Sequence, residues 1–285
     1  MDEQTLTEPR KNRALRAARN VFYLAMDPAD AVFRRMNGMP HYPPIHLRRH
    51  VGYLGTLDGT GAEFATYLKL VAGLEPADSV LDLGCGCGLL ELGLVKAGWR
   101  GSLLGVDIHE PCIRWCRGHI AKTVPSFAFE HADIRNAAYW PRGSLTAQQY
   151  FDTLSNRKFD VIVAKSLFTH MLPGELEVYL GNLGGLLRPN GRILMTFFLL
   201  NDEYRQLEKA GRSSIHFTKA SGDAVCAVKR PDAPTASVAY EEGHILKLMA
   251  SAGLRGKATY HGFWTGNDRG LSYQDIVVAG RTTDS

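Results

Sequence analysis

Val80-Leu81-Asp82-Leu83-Gly84-Cys85-Gly86-Cys87-Gly88 is the stretch that decides the fold. The apolar run Val80 to Leu83 reads as a strand, and the apolar pattern Leu89 to Val95 that follows reads as a helix. Glycines at alternate positions let the backbone turn tightly and come close to a ligand, and the helix that begins there directs its amide dipoles at it. A nucleotide-like ligand is expected at such a loop. The spacing says which kind. A GxGxxG dinucleotide loop would need glycine at position 89, where leucine stands, and Gly88 comes one residue early. An NAD-linked oxidoreductase is therefore disfavoured, and the phosphate-cradling GxxxxGK[ST] is missing. What the loop has instead is an acid, Asp82, two residues before its first glycine.

Downstream of the loop, short apolar runs alternate with helical periodicity. The runs are Leu103 to Asp107, Phe127 to Glu130, Phe159 to Ala164 and Arg192 to Phe198. Between the last two, Leu176, Tyr179, Leu180, Leu183 and Leu187 recur at helical spacing, and Pro189-Asn190-Gly191 turns the chain into the next strand. Ile245, Leu248, Met249 and Ala252 give a late helix capped by Gly253, and Gly256 to Gly262 and Asp275 to Ala279 give two closing strands. Strands apolar on both faces and separated by helices mean a parallel sheet covered on both sides. The expected class is α/β, with a doubly wound, mostly parallel seven-stranded sheet.

Two regions lie outside this alternation. Residues 1 to about 75 lack strand-like runs, and Phe64, Tyr67, Leu68 and Val71 mark an amphipathic helix. The turn-rich NGMPHYPP at Asn37 to Pro44 breaks that region in two, because successive prolines cannot continue a helix. The expected division is a helical N-terminal cap over 1–75 and a core over 76–285, with a polar insertion at about 200–240. An insertion of that length reads as a lid or substrate-binding segment.

Composition sets the outer limits. With 285 residues, 45 % of them apolar and 22 % charged, the chain can bury a full core without disulfides or a structural metal. Its longest apolar stretches, such as Ile193 to Leu200, are too short to cross a bilayer, and the acidic, polar N-terminus does not read as a signal peptide, so a cytoplasmic protein is expected. Five cysteines with no CxxC spacing read as reduced thiols, and no metal site is expected. The net charge of +4 is unevenly placed: nine Lys or Arg fall between Arg10 and His50 against only Asp27 and Asp30. That segment is either a solvated helix face or a contact for an anionic partner such as a membrane surface. No basic stripe interleaved with stacking aromatics accompanies it, so nucleic acid is not expected. A homodimer is left open.

From Ser79 to Arg281 the sequence resembles the class I S-adenosylmethionine-dependent methyltransferases, whose first motif is an acidic residue followed by GxGxG; VLDLGCGCG is the most specific part. The resemblance implies that Gly84, Cys85, Gly86 and Gly88 lie under the homocysteine part of S-adenosyl-L-methionine, with Asp82 near its amino group. Leu103 to Asp107 ends in an acid 19 residues after Gly88, where a carboxylate can accept bonds from both ribose hydroxyls. The family's next acid, on the adenine amino group, matches Asp133 in HADIRN, with Ile108 and Ile134 as apolar walls for the ring.

The fourth station is FDVIVAKSLFTHM, Phe159 to Met171, whose strand would end at the transferable methyl group. Ser166 joins the cofactor-binding set, and His170 is the candidate general base, with a structural or helix-capping histidine as its alternative. The [DNS]PP[YFW] quartet of amino-methylating nucleic-acid enzymes, the Pro-Cys pair of cytosine-5 enzymes and the strand-end acid of magnesium-dependent catechol enzymes are absent from this station. Arg48 and Arg49 are either solvated or salt-bridged, or grip the cofactor carboxylate or an anionic acceptor. Trp264, Phe263 and Tyr260 are either core or a sugar-stacking wall. The expected activity is O-methylation of a hydroxyl on a sugar, glycoconjugate or other small bacterial metabolite. N- or C-methylation of another small molecule, and a non-catalytic nucleotide-binding protein of the same fold, are the alternatives.

Overall fold

The structure is a computed structural model that describes residues 10–49, 59–219 and 225–282, with side chains from residue 18 onward. Its main sheet is built from β1 (Ser79–Leu83), β2 (Ser102–Asp107), β3 (Phe127–His131), β4 (Phe159–Ala164) and β5 (Leu187–Phe197), completed late in the chain by β10 (Leu254–Tyr260) and β11 (Asp275–Arg281). The spatial order is β10-β11-β5-β4-β1-β2-β3. The strands from β3 to β5 are parallel, and β11 and β10 run antiparallel at the far edge. The sheet is thus seven-stranded, mostly parallel and doubly wound, as the sequence implied. β1 has β2 on one side and β4 on the other. That is the point where the winding reverses, and a crevice opens there beyond the carboxyl ends of the strands.

Helices cover both faces because the strands are apolar on both. On one face α3 (Gly59–Leu70), α4 (Leu89–Lys96) and α5 (Glu110–Thr123) pack through Phe64, Leu68, Leu90, Leu94, Ile113 and Ile120. On the other face α6 (Ala147–Leu154), α7 (Pro173–Leu186) and α9 (Glu242–Ser251) pack through Leu154, Leu176, Leu180, Leu183, Ile245 and Met249. Each such side chain contributes about 1.5–3 kcal/mol when removed from water. α3 and α4 cross at two glycines: a Cβ on Gly93 would overlap the Gly61 carbonyl, and one on Gly61 the Leu89 carbonyl. Ahead of α3 lie α1 (Arg10–Met36) and the short α2 (Ile45–Arg48). Asp27 and Asp30 of α1 face α2, where they meet His46 and Arg48, and Leu47 of α2 packs on Cys87 and Cys112.

Three local expectations changed. Pro189-Asn190-Gly191 lies inside β5 rather than ahead of it: Phe159 pairs with Leu187 but Val161 with Arg192, so the intervening residues bulge, with Asn190 at φ +63°. α5 and α6 were not among the expected helices. The stretch from 200 to 240 holds regular structure: β6 (Leu199–Leu200), α8 (Asp202–Lys209), β7 (Thr218–Lys219), β8 (Cys226–Val228) and β9 (Val238–Glu241). These strands form a second sheet in the order β6-β9-β8-β7. Strands of two to four residues are too short to declare a period of two.

The second sheet continues directly from β5, and one buried carboxylate ties the junction. Asp275, the first residue of β11, accepts from the amides of Leu199 (2.6 Å) and Gly262 (2.7 Å) and from the Trp264 indole (2.9 Å). Trp264 is fully buried, while Phe263 and Tyr260 stay partly exposed, so the three aromatics do not form one wall. Among the described residues no helix is long and apolar enough to cross a membrane.

Candidate active site

The glycine loop is shaped by three left-handed residues, Gly84 (φ +79°), Gly86 (+56°) and Gly88 (+78°), a region that side chains other than glycine rarely enter. Gly88 then serves as the N-cap of α4. The loop is fastened to β2: the amides of Gly84 and Cys85 donate to the Val106 carbonyl, at 2.8 and 3.1 Å, and Gly86 N donates to the Asp107 carboxylate at 2.8 Å. The second Asp107 oxygen accepts from His109 N at 2.7 Å. Burial raises the Asp107 pKa, and these two amide donors act against that rise. An ionised carboxylate has about four lone-pair sites, so two remain for a further ligand.

Beside this junction opens a cavity of about 450 Å³. Gly84, Asp107, Ile108, Ile134 and His170 all line it, so five of the residues singled out by sequence converge on one space. The inner wall is aromatic, from Tyr150, Phe151 and Tyr179 on α6 and α7, and Leu167 closes the side toward β4. The Tyr150 hydroxyl is buried with no hydrogen-bond partner among the described residues.

The remaining sequence candidates fall outside that lining. Cys85, Gly86 and Gly88 form the loop behind Gly84. Asp82 is buried beneath it, facing Glu91 and Lys165, and burial pushes its pKa up to about 7. Asp133 accepts from the Trp140 indole (2.7 Å), Ser144 N (3.2 Å) and Ser144 Oγ (2.5 Å), and it is Ser144 that reaches the cavity. Ser166 occupies the tip of β4 at φ +52°, rare for a residue with a side chain. Its amide donates to Thr196 Oγ1 (2.7 Å) and its hydroxyl to Gln274 Oε1 (2.9 Å).

His170 is held in a short 3-10 helix after β4. Its Nδ1 lies 3.0 Å from the Thr235 carbonyl of the inserted region and 3.4 Å from the Tyr139 hydroxyl. A carbonyl can only accept, so Nδ1 carries the proton and Nε2 keeps its lone pair. Burial lowers the His170 pKa, leaving a neutral imidazole at neutrality.

Sequence reasoning passed over several groups. Glu91 is fully buried and neither oxygen has a partner in hydrogen-bonding geometry among the described residues. Burial, with the nearby Asp82 carboxyl, pushes its pKa well above the usual range, so this pair retains a proton. Lys165, at the end of β4, has its Nζ 4.9 Å from the centre of the Phe64 ring, and burial lowers its pKa against the pull of Asp82 and Glu63. Only the fold brings an acid on α4 under an acid on β1, and no spacing rule foretells it. Arg48 is buried and salt-bridged to Asp30. One nitrogen donates to Asp30, while Nε and Nη1 have no partner among the described residues, and the adjacent Leu47 packs on Cys87 of the glycine loop.

A family model described as "Methyltransferase domain" matches residues 80–191, the span from β1 into β5. Over that span, less than half of the chain, the sequence is similar to methyltransferase domains. Ribosomal protein L11 methyltransferase of Neisseria gonorrhoeae is 31 % identical to it over 157 residues, covering 54 % of this chain and 44 % of that protein. The chain thus spans less than half the length of that relative. Among solved structures, the 1,6-didemethyltoxoflavin-N1-methyltransferase of Burkholderia thailandensis, with bound 1,6-didemethyltoxoflavin and S-adenosylhomocysteine, superposes at TM-score 0.53 with 15 % identity, over 99 % of this chain and 94 % of that one. The CcbJ methyltransferase of Streptomyces caelestis gives TM-score 0.50 and 17 % identity, over 78 % and 90 %.

The residues of the methyltransferase domain fit its cofactor, S-adenosyl-L-methionine. The left-handed glycines give the loop the tight turn that lets its backbone come close to a ligand. Asp107 has acceptor capacity toward a ribose, and apolar Ile108 and Ile134 flank the same cavity. The buried, unpartnered Arg48 N–H groups suit a carboxylate.

Proposed function

We propose that this protein methylates a hydroxyl of a sugar, a glycoconjugate or another small bacterial metabolite, and does so in the cytoplasm. The observation that carries the reading is that one cavity joins the glycine loop and the Asp107 carboxylate to a neutral histidine. When bound, S-adenosylmethionine supplies an electrophilic methyl group on a sulfonium. The chain's own task is then to hold cofactor and acceptor in line and keep water out.

In this reading Asp107 takes the ribose hydroxyls, Ile108 and Ile134 enclose the base, and Gly84, Cys85, Gly86 and Gly88 leave room for the homocysteine part. Arg48 takes its carboxylate, with Asp82 near its amino group. Asp133 acts on the adenine end through Ser144, and Ser166 shapes the tip of β4 where the methyl would lie. His170 Nε2 receives the acceptor proton. The helical cap over 1–75 and the insertion at about 200–240 border the acceptor, and Thr235 of that insertion already touches His170. The cavity volume suits a small molecule.

Methylation at nitrogen is the second reading, favoured by the name of the Burkholderia thailandensis neighbour. Incubation with isotopically labelled S-adenosylmethionine and a fractionated extract, followed by identification of the labelled product, separates the readings by the atom that carries the label. A protein that binds the cofactor and never transfers the label would be the non-catalytic alternative. Asp107→Ala should weaken S-adenosylmethionine binding by about 10- to 100-fold, measured by calorimetry, because it removes charge-assisted hydrogen bonds. Unchanged affinity would remove Asp107 from the ribose site.

A further inference from the structure

α1 carries two faces of opposite character. Tyr23, Asp27, Asp30 and Arg34, at spacings of four, three and four, turn toward α2. Asp27 pairs with His46 there, and Asp30 pairs with both Arg34 and Arg48. The other face is apolar and open. Val21, Val32 and Met36 form one row and Phe22, Met26 and Phe33 the next; Phe22 is 59 % exposed, Phe33 54 % and Met36 82 %. Six large apolar side chains in a stripe over sixteen residues exceed the scattered exposure normal for a surface.

Charge identifies what covers it. α1 holds seven basic residues, Arg10, Lys11, Arg13, Arg16, Arg19, Arg34 and Arg35, and two acids. Both acids are engaged with α2, so the open side presents only positive charge: Arg19 and Arg35 are exposed at the rims of the stripe, with no ion pair among the described residues. A second copy of the helix would set basic residues against basic residues in a parallel or an antiparallel pairing, since both ends are basic. An apolar stripe rimmed by arginines on a long helix suits the boundary between headgroups and acyl chains of an anionic bilayer.

We infer that α1 is a peripheral anchor that lays its Val21 to Met36 stripe into the surface of an anionic lipid membrane. The helix lies in the plane of that surface, with phenylalanines below the headgroups and arginines among them. This inference is independent of which acceptor is methylated.

The test is co-sedimentation of the full chain with phosphatidylcholine vesicles, with and without phosphatidylglycerol. The wild-type chain should pellet with the anionic vesicles and stay in solution with the neutral ones, and added salt should release it. Phe22→Glu combined with Phe33→Glu should lower partitioning at least about tenfold, while circular dichroism and S-adenosylmethionine affinity stay unchanged. Equal sedimentation of variant and wild type would overturn the proposal, as would failure of the wild type to bind anionic vesicles. So would light scattering that finds a dimer which the variant dissolves, since a second copy would then be the true occupant.

Discussion

His170 and Arg48 are the residues on which chemistry and binding separate. His170 donates through Nδ1 to the Thr235 carbonyl, and burial lowers its pKa, so its second nitrogen is free of a proton at neutrality. In the proposed role of general base it must be neutral to act. kcat should therefore be flat above neutrality and fall as pH drops through a value below 6.5, the ordinary histidine pKa. His170→Ala should lower kcat by about 10² to 10⁴-fold and leave the cofactor Kd nearly unchanged. Full turnover in that variant would make His170 a tether for the inserted region and nothing more. Arg48 is the opposite case. Its Nε and Nη1 have no partner among the described residues, an arrangement that costs about 1–3 kcal/mol. Arg48→Met should lower the melting temperature of the free protein, because buried Asp30 loses one of its donors, and also weaken S-adenosylmethionine binding about tenfold or more. A variant with lower stability and unaltered affinity would show a purely structural arginine.

Among the elements, the α3–α4 crossing is the most exacting contact. Gly61 and Gly93 bring two backbones together with no room for a methyl group. Gly93→Ala should destabilise the protein by about 1–3 kcal/mol, read as a shifted denaturant midpoint, because neither helix can withdraw without moving the glycine loop that begins α4. The sequence announced α4 through its position after the loop, but nothing in it announced this crossing. The strands were legible for a physical reason: buried on both faces, Val80 to Leu83 and Phe159 to Ala164 are apolar at every position but Asp82 and Asp160. α5 was hard to read because Arg117 breaks its stripe of Ile113, Cys116 and Ile120, and α6 because its stripe of Ala147, Tyr150, Phe151 and Leu154 lasts only eight residues. The second sheet was hidden by strands too short to repeat a pattern. For the site, Asp107 and the glycines could be found from spacing along the chain. Glu91, Lys165, Gln274 and Tyr150 could not, because the groups they face lie on other strands and helices.

On the scale of the whole molecule, the strand tips gather the residues proposed to hold the cofactor, and the segments outside the alternating pattern gather around them. α2 reaches the loop through Leu47, and the insertion reaches β4 through Thr235. The two sheets share one continuous run of chain, β5 into β6, and meet at Asp275. That carboxylate holds an amide of the second sheet, an amide at the end of β10 and an indole at once. Breaking any one of these three leaves a buried charge short of donors, so they should yield together. In native-state hydrogen exchange, the amides of Leu199, Tyr240 and Gly262 should open with a single shared free energy, below that of β1 and β4. Separate opening energies would mean that the smaller sheet breathes without the closing hairpin. A shared one would make the junction a small cooperative foldon, able to unlatch over the acceptor side while the nucleoside side stays shut.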